Sequence, residues 1–153
     1  MFRILTREML TPNICKMEVE APRIAKAALP GQFLIVRPNE KGERIPLTIS
    51  DYNIEKGTVT IVTQLIGASS AAIIATQEGE FFNDVVGPLG NPSAFVGMSD
   101  EELKGKKYIF IAGGVGTAPV YPQAKWLHER GVAVDVIIGE KPKDLLSYKE
   151  ELG

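Results

Sequence analysis

The sequence predicts an all-β unit, a barrel or a sandwich, over residues 1–98, followed by part of a parallel α/β unit over residues 99–153. Three observations predict it. Short β-branched runs broken by glycine and proline fill the first part. Near residue 99 the pattern changes to a serine-capped acidic start. Beyond it the chain reads strand, glycine-rich turn, helix, strand, the order of a βαβ unit.

Met1 to Met9 predicts a first strand, and the alternation of Asn13 to Ala21 predicts a second. Pro30-Gly31 signals a turn, followed by a strand over residues 32–38. Residues 39–43 form a polar loop, and Pro46 to Ser50 is a short apolar–hydroxyl run. Residues 58–66, TVTIVTQLI, alternate with β-branched residues and predict another strand. One helix interrupts the β region over Ser69 to Gln77, after Gly67 and behind two good N-cap residues. Glu80 to Val86 predicts a further strand, closed by GPLGNP at 87–92.

Ser99 with Glu102 three positions later has the capping-box order. YIFIA at 108–112 is a buried-type strand, Val120 to Arg130 a helix with Gly131 as C-cap, and Val132 to Ile138 a second buried-type strand. A single βαβ unit has too few strands for a stable open sheet. The expectation is therefore a C-terminally truncated chain, or one whose second unit a partner completes.

Composition narrows the function classes. Of 153 residues, 44% are apolar and 24% charged, as in globular proteins. The net charge of -2, without a basic run, argues against nucleic acid or an anionic membrane as partner. Cys15 is the one cysteine, which excludes an internal disulfide and a CxxC metal or cluster site, and leads to the expectation of a cytoplasmic protein with no metal of its own. The N-terminus lacks the apolar core of a signal peptide. The apolar runs are far short of the ~20 residues of a membrane helix, so no membrane insertion is expected.

Four stretches can carry chemistry. Gly113-Gly114-Val115-Gly116-Thr117-Ala118-Pro119 follows its strand directly. Its glycines allow a tight turn and close backbone approach to a phosphate, and the free N–H groups of the next helix favour an anion. Arg44-Ile45-Pro46-Leu47-Thr48-Ile49-Ser50 offers a guanidinium fork and hydroxyls along a strand edge. Alone it fits an ordinary strand with a surface arginine equally well. Gly67-Ala68-Ser69-Ser70 opens a helix with free N–H groups and hydroxyls suited to a pyrophosphate, or simply caps it. Gly87-Pro88-Leu89-Gly90 by itself is only a turn.

Taken in order with Pro30-Gly31-Gln32-Phe33, these stretches resemble the ferredoxin–NADP reductase superfamily, in the branch of the electron-transfer subunits of dihydroorotate dehydrogenase and of NADH-dependent ferredoxin–NADP reductase. The resemblance implies a six-stranded antiparallel barrel that binds FAD, followed by the first part of an NAD(P)-binding domain. It implies that Pro46, Leu47, Thr48 and Ser50 line the flavin ring, with Thr48 and Ser50 nearest the chemistry. Arg44 and Gly67, Ala68, Ser69 and Ser70 would serve the phosphates. Gly113, Gly114, Gly116 and Thr117 would receive NAD(P)H. The implied activity is electron transfer from NAD(P)H through FAD to an iron–sulfur or catalytic partner subunit. The alternatives are a non-catalytic barrel module or a free-standing flavin reductase.

The chain departs from the superfamily pattern in three places, one being that the latter half of the nicotinamide domain is missing, so tight NAD(P) binding by this chain alone is not expected. Leu47 stands where an aromatic is usual, and Ile45 where the arginine is usual, with Arg44 one residue early. The four-cysteine 2Fe–2S site of the branch has no ligands here. Several other residues have plainer readings: His128 as a solvated helix position, Cys15 as a small buried apolar group, Trp126 as helix-to-sheet packing, and Asp51 as a turn former. Glu140, after Gly139, could bond a ribose, while Lys141 and Lys143 could favour a 2′-phosphate.

Overall fold

The computed structural model describes residues 1–113 and 116–139. Seven antiparallel strands form one sheet in the order β6-β1-β2-β5-β4-β3-β7. They are β1 (Phe2–Thr11), β2 (Ile14–Glu20), β3 (Phe33–Arg37), β4 (Ile45–Asn53), β5 (Thr58–Gln64), β6 (Phe81–Phe82) and β7 (Asp84–Leu89). The expected Glu80–Val86 strand is thus two strands parted by Asn83. Phe81 and Phe82 pair with β1, whereas Asp84 to Leu89 pair with β3 at the opposite edge. One chain segment therefore spans both edges and nearly closes the barrel, which protects the edge strands. Counted as one bent strand, it restores the expected six.

Alternation decides the core. Ile4, Met17, Val19, Leu34, Val36, Ile49, Val59, Ile61 and Phe82 point inward and are buried. Helix α1 (Pro22–Ala27) packs Ile24 and Ala25 onto this core. Sequence reasoning missed it, because six residues are too few to show a 3.6-residue period and Pro22 at its start is the only signal. The one helix expected in the β region, over Ser69 to Gln77, is α2 (Ala68–Ala75).

A 3-10 turn (Ala94–Gly97) and α3 (Asp100–Lys104) lead into the second unit. Ser99 caps α3 by accepting from the Glu102 N–H at 3.3 Å, as its spacing predicts. Strands β8 (Tyr108–Gly113) and β9 (Val134–Gly139) pair in parallel around α4 (Thr117–Glu129). Phe95, Leu103, Trp126, Leu127 and Val132 form the core on the helix side. The other face differs from the buried-type expectation: among the described residues nothing covers Ile109, Ile111 or Ile137, and all three are exposed.

Candidate functional site

Strand β4 carries Ile45 to Ser50 between β3 and β5, with Arg44 directly before it. Ile45, Leu47 and Ile49 pack toward the barrel core, Pro46 is exposed and Thr48 half-buried. The pairing with β5 slips here: Ile49 faces Ile61, but Asp51 already faces Thr60. Ser50 is the extra residue of a β-bulge, a device that re-aims a side chain. Its hydroxyl is fully buried and donates to the Ala118 carbonyl at 3.2 Å. Arg44 turns the other way and pairs with Asp84 on β7 at 2.9 Å, half-exposed.

The start of α2 lies beside the loop before β4. Ser70 Oγ accepts from the N–H groups of Ile66 and Gly67 at 2.8 and 3.0 Å, so this hydroxyl caps the helix. Ser69 Oγ instead donates outward to the Glu43 carboxylate. Space where a Gly67 side chain would stand is empty. The first-turn N–H groups of a helix lack acceptors within it. Beside them Ile66 is 83% exposed, an apolar surface that a bound aromatic ring would cover. The donor chemistry at this mouth and the uncovered apolar residue beside it fit a dinucleotide such as FAD.

The stretches around Gly31 and Gly90, which the sequence left without a role beyond turning, form a clasp. Gly31 has φ +93° and sits so close to Ser93 that a Cβ would lie 2.8 Å from its backbone nitrogen. Gln32 donates to the Gly90 carbonyl at 3.0 Å. Ser93 Oγ then donates to Gln123 Oε1 at 2.8 Å, carrying the clasp to α4.

Gly113 ends β8 where a Cβ would come within 3.1 Å of the Gly139 carbonyl. Gly114, Val115, Glu140, Lys141 and Lys143 lie outside the described residues. Gly116 caps α4, and Thr117 follows, 1% exposed, its Oγ1 without a hydrogen-bond partner among the described residues. A buried hydroxyl left unpaired is costly. At a helix N-terminus it is a donor in want of a ligand oxygen, which fits a nucleotide.

One face of α4, Ala118, Tyr121, Pro122 and Lys125, meets the barrel. Ala118 and Tyr121 pack with Leu10, Ile14 and Val62. Asp51, on β4 and not in a turn as expected, pairs with Lys125 at 2.9 Å. Partial burial works against the Lys125 charge, but the Asp51 hydrogen bond and charge, with help from Tyr121 and Glu129, hold its ammonium above the usual lysine range. Burial pushes the Tyr52 phenol up, with Glu129 adding to it. Asp51, Tyr52, Tyr121 and Lys125 line a polar cleft of about 220 Å³ that none of the glycine-rich or RIPLTIS residues borders. His128 is exposed, and Cys15 is buried, its thiol pushed up by burial. No helix among the described residues is long and apolar enough to cross a membrane. Sequence reasoning missed Glu43, Ser93 and Gln123, for which no local signal exists. It also missed the consequence of Pro122, which was legible as a proline inside a predicted helix.

No family model matches the chain. It is 59% identical over 152 residues to an uncharacterized protein in the adh 3′ region of Clostridium beijerinckii, covering 99% of this chain and 51% of that one. It is 35% identical over 148 residues to a dihydroorotate dehydrogenase B (NAD(+)), electron transfer subunit homolog of Thermotoga maritima, covering 97% and 50%. A solved NADH-dependent reduced ferredoxin-NADP oxidoreductase, reported for flavin-based electron bifurcation, superposes with a TM-score of 0.87 at 35% identity over 99% of this chain and 52% of that one. Phthalate dioxygenase reductase shares the fold, with a TM-score of 0.75 at 22% identity over 99% of this chain and 46% of that one. The chain spans about half the length of the curated relatives it matches.

Proposed function

We propose that this chain, similar over about half their length to an electron transfer subunit homolog and to an NADH-dependent reduced ferredoxin-NADP oxidoreductase, is a member of the ferredoxin–NADP reductase superfamily and the FAD-binding part of an oxidoreductase component that passes electrons from NAD(P)H to an iron–sulfur or catalytic partner subunit. Residues 1–98 form the flavin domain in this reading, and residues 99–153 begin the NAD(P) domain. FAD, when bound, supplies the exchange between two-electron and one-electron chemistry.

The chain's own residues bind and orient. Pro46, Leu47 and Thr48 lie along the ring. The amides of Ala68, Ser69 and Ser70 take the pyrophosphate, and Gly67 leaves room for it. Arg44, held by Asp84, contributes charge at a distance rather than a fork on a phosphate. Gly113, Gly114, Gly116 and the Thr117 hydroxyl receive the reduced nicotinamide nucleotide. The observation that carries the reading is that β4 and the first turn of α4, one stretch for each coenzyme, meet through the 3.2 Å bond of Ser50 to Ala118. That proximity is what transfer between two stacked rings requires.

The test is flavin uptake. The protein takes up FAD, seen as quenched flavin fluorescence and a yellow complex. Ser69→Glu sets a fixed carboxylate at the helix mouth and weakens FAD by at least about tenfold, each tenfold being ~1.4 kcal/mol. The circular dichroism melt stays in place. A protein that ignores FAD, or a variant that binds it as wild type, overturns the reading.

A further inference from the structure

The geometry points to Ser50 as a positioning residue, one that ties the nucleotide helix α4 to strand β4 through a carbonyl that Pro122 leaves free. In a helix the carbonyl of residue 118 accepts from the N–H of residue 122. Residue 122 is a proline inside α4 and has no N–H. The Ala118 carbonyl is therefore orphaned within its own helix, in a buried place where an unmet acceptor is unfavourable. Ser50, turned outward by the bulge in β4, donates to that carbonyl at 3.2 Å.

The tie is reinforced along the same helix. Asp51, next to Ser50, holds Lys125 at 2.9 Å, one helical turn beyond Pro122. Gln123 accepts from Ser93 and donates to the Pro119 carbonyl at 2.9 Å. Ala118 directly follows Thr117, whose unpaired hydroxyl opens the helix. Fixing the Ala118 carbonyl therefore fixes the start of the helix, and with it the seat of the nicotinamide nucleotide relative to β4. The role of Ser50 is then mechanical coupling of the two coenzyme seats. The part concerning coenzymes rests on the proposed function above, whereas the Ser50–Pro122 coupling does not.

The experiment is a double-mutant cycle in the intact protein with Ser50→Ala, Pro122→Ala and both. Without flavin, Ser50→Ala lowers the thermal midpoint strongly when Pro122 is present and little in the Pro122→Ala background, because alanine at that position returns an N–H to the carbonyl. Equal losses in both backgrounds overturn the coupling. With flavin, Ser50→Ala keeps the FAD dissociation constant within about twofold, and dithionite reduces it as in wild type. Bleaching of the flavin by NAD(P)H slows about ten- to a hundredfold, mainly in kcat. The double variant, whose carbonyl is satisfied inside the helix but whose tie is absent, stays slow. A double variant as fast as Pro122→Ala alone, or a Ser50→Ala protein that loses FAD, overturns the positioning role. If the wild type binds no FAD, the proposed function fails while the thermal cycle still judges the tie.

Discussion

Ser50 and Arg44 carry the sharpest differences between a residue's type and its use. Both were expected at the coenzyme, Ser50 for its hydroxyl and Arg44 for its fork. Ser50 points into the seam with α4, and Arg44 is held by a carboxylate on β7. Gly31 shows the opposite case, a residue whose role follows from its type. Its positive φ and its approach to Ser93 both exclude a side chain. Gly31→Ala is expected to cost about 1–3 kcal/mol, from a strained backbone and displacement of the clasp. Urea denaturation measures this as a lower midpoint with an unchanged slope. A midpoint equal to wild type would mean that the clasp shifts freely.

At the scale of elements, α4 is the member that serves two units. Its Trp126–Leu127 side completes the core with Phe95, Leu103 and Val132, and its Ala118–Lys125 side lies on the barrel. The Lys125–Asp51 pair gives this contact a pH dependence. The folded state holds the Lys125 proton more tightly than the unfolded chain does. Its contribution is therefore complete below the ordinary lysine pKa of about 10.4 and is lost as pH rises through the higher folded value. Because the pair is about a third exposed, its worth is small. Lys125→Met is expected to lower stability by about 0.5 kcal/mol at pH 7. The gap to wild type should close as pH rises through the raised folded-state value, as read from urea midpoints at neutral and strongly alkaline pH. A gap that persists at high pH would assign the effect to packing of the lysine stem. Both edges of α4 were legible to within a few residues, from the glycine-rich turn before it and Gly131 after it. Which face meets the barrel was not, because apolar residues occur on both sides of it.

For the whole molecule, the seam decides how the two units behave together. The second unit has only two strands and one covered sheet face among the described residues, so much of its support comes through α4. The chain's one tryptophan, Trp126, lies in that unit, under the stacked Arg130 guanidinium at 3.5 Å from its ring. In urea, Trp126 emission and the far-ultraviolet dichroism dominated by the barrel are expected to change along one curve. Emission changing first, at a separate midpoint, would show that the seam does not couple the units.

The sequence by itself determined the succession of strands and helices apart from α1 and the break at Asn83, the turns that need glycine, the serine cap at Ser99 and the glycine-rich start of α4. These are properties of neighbouring residues, fixed by backbone sterics, period and hydrogen bonds over one or two turns of chain. It also carried the ordered set of short stretches by which the family resemblance is legible. Only the tertiary structure decided where the side chains of those stretches go. Ser50 finds its acceptor 68 residues away, and Arg44 its carboxylate 40 residues away. Such partners are set by a bulge, by near-closure of the barrel and by the docking of α4, none of which is a property of a short stretch of sequence.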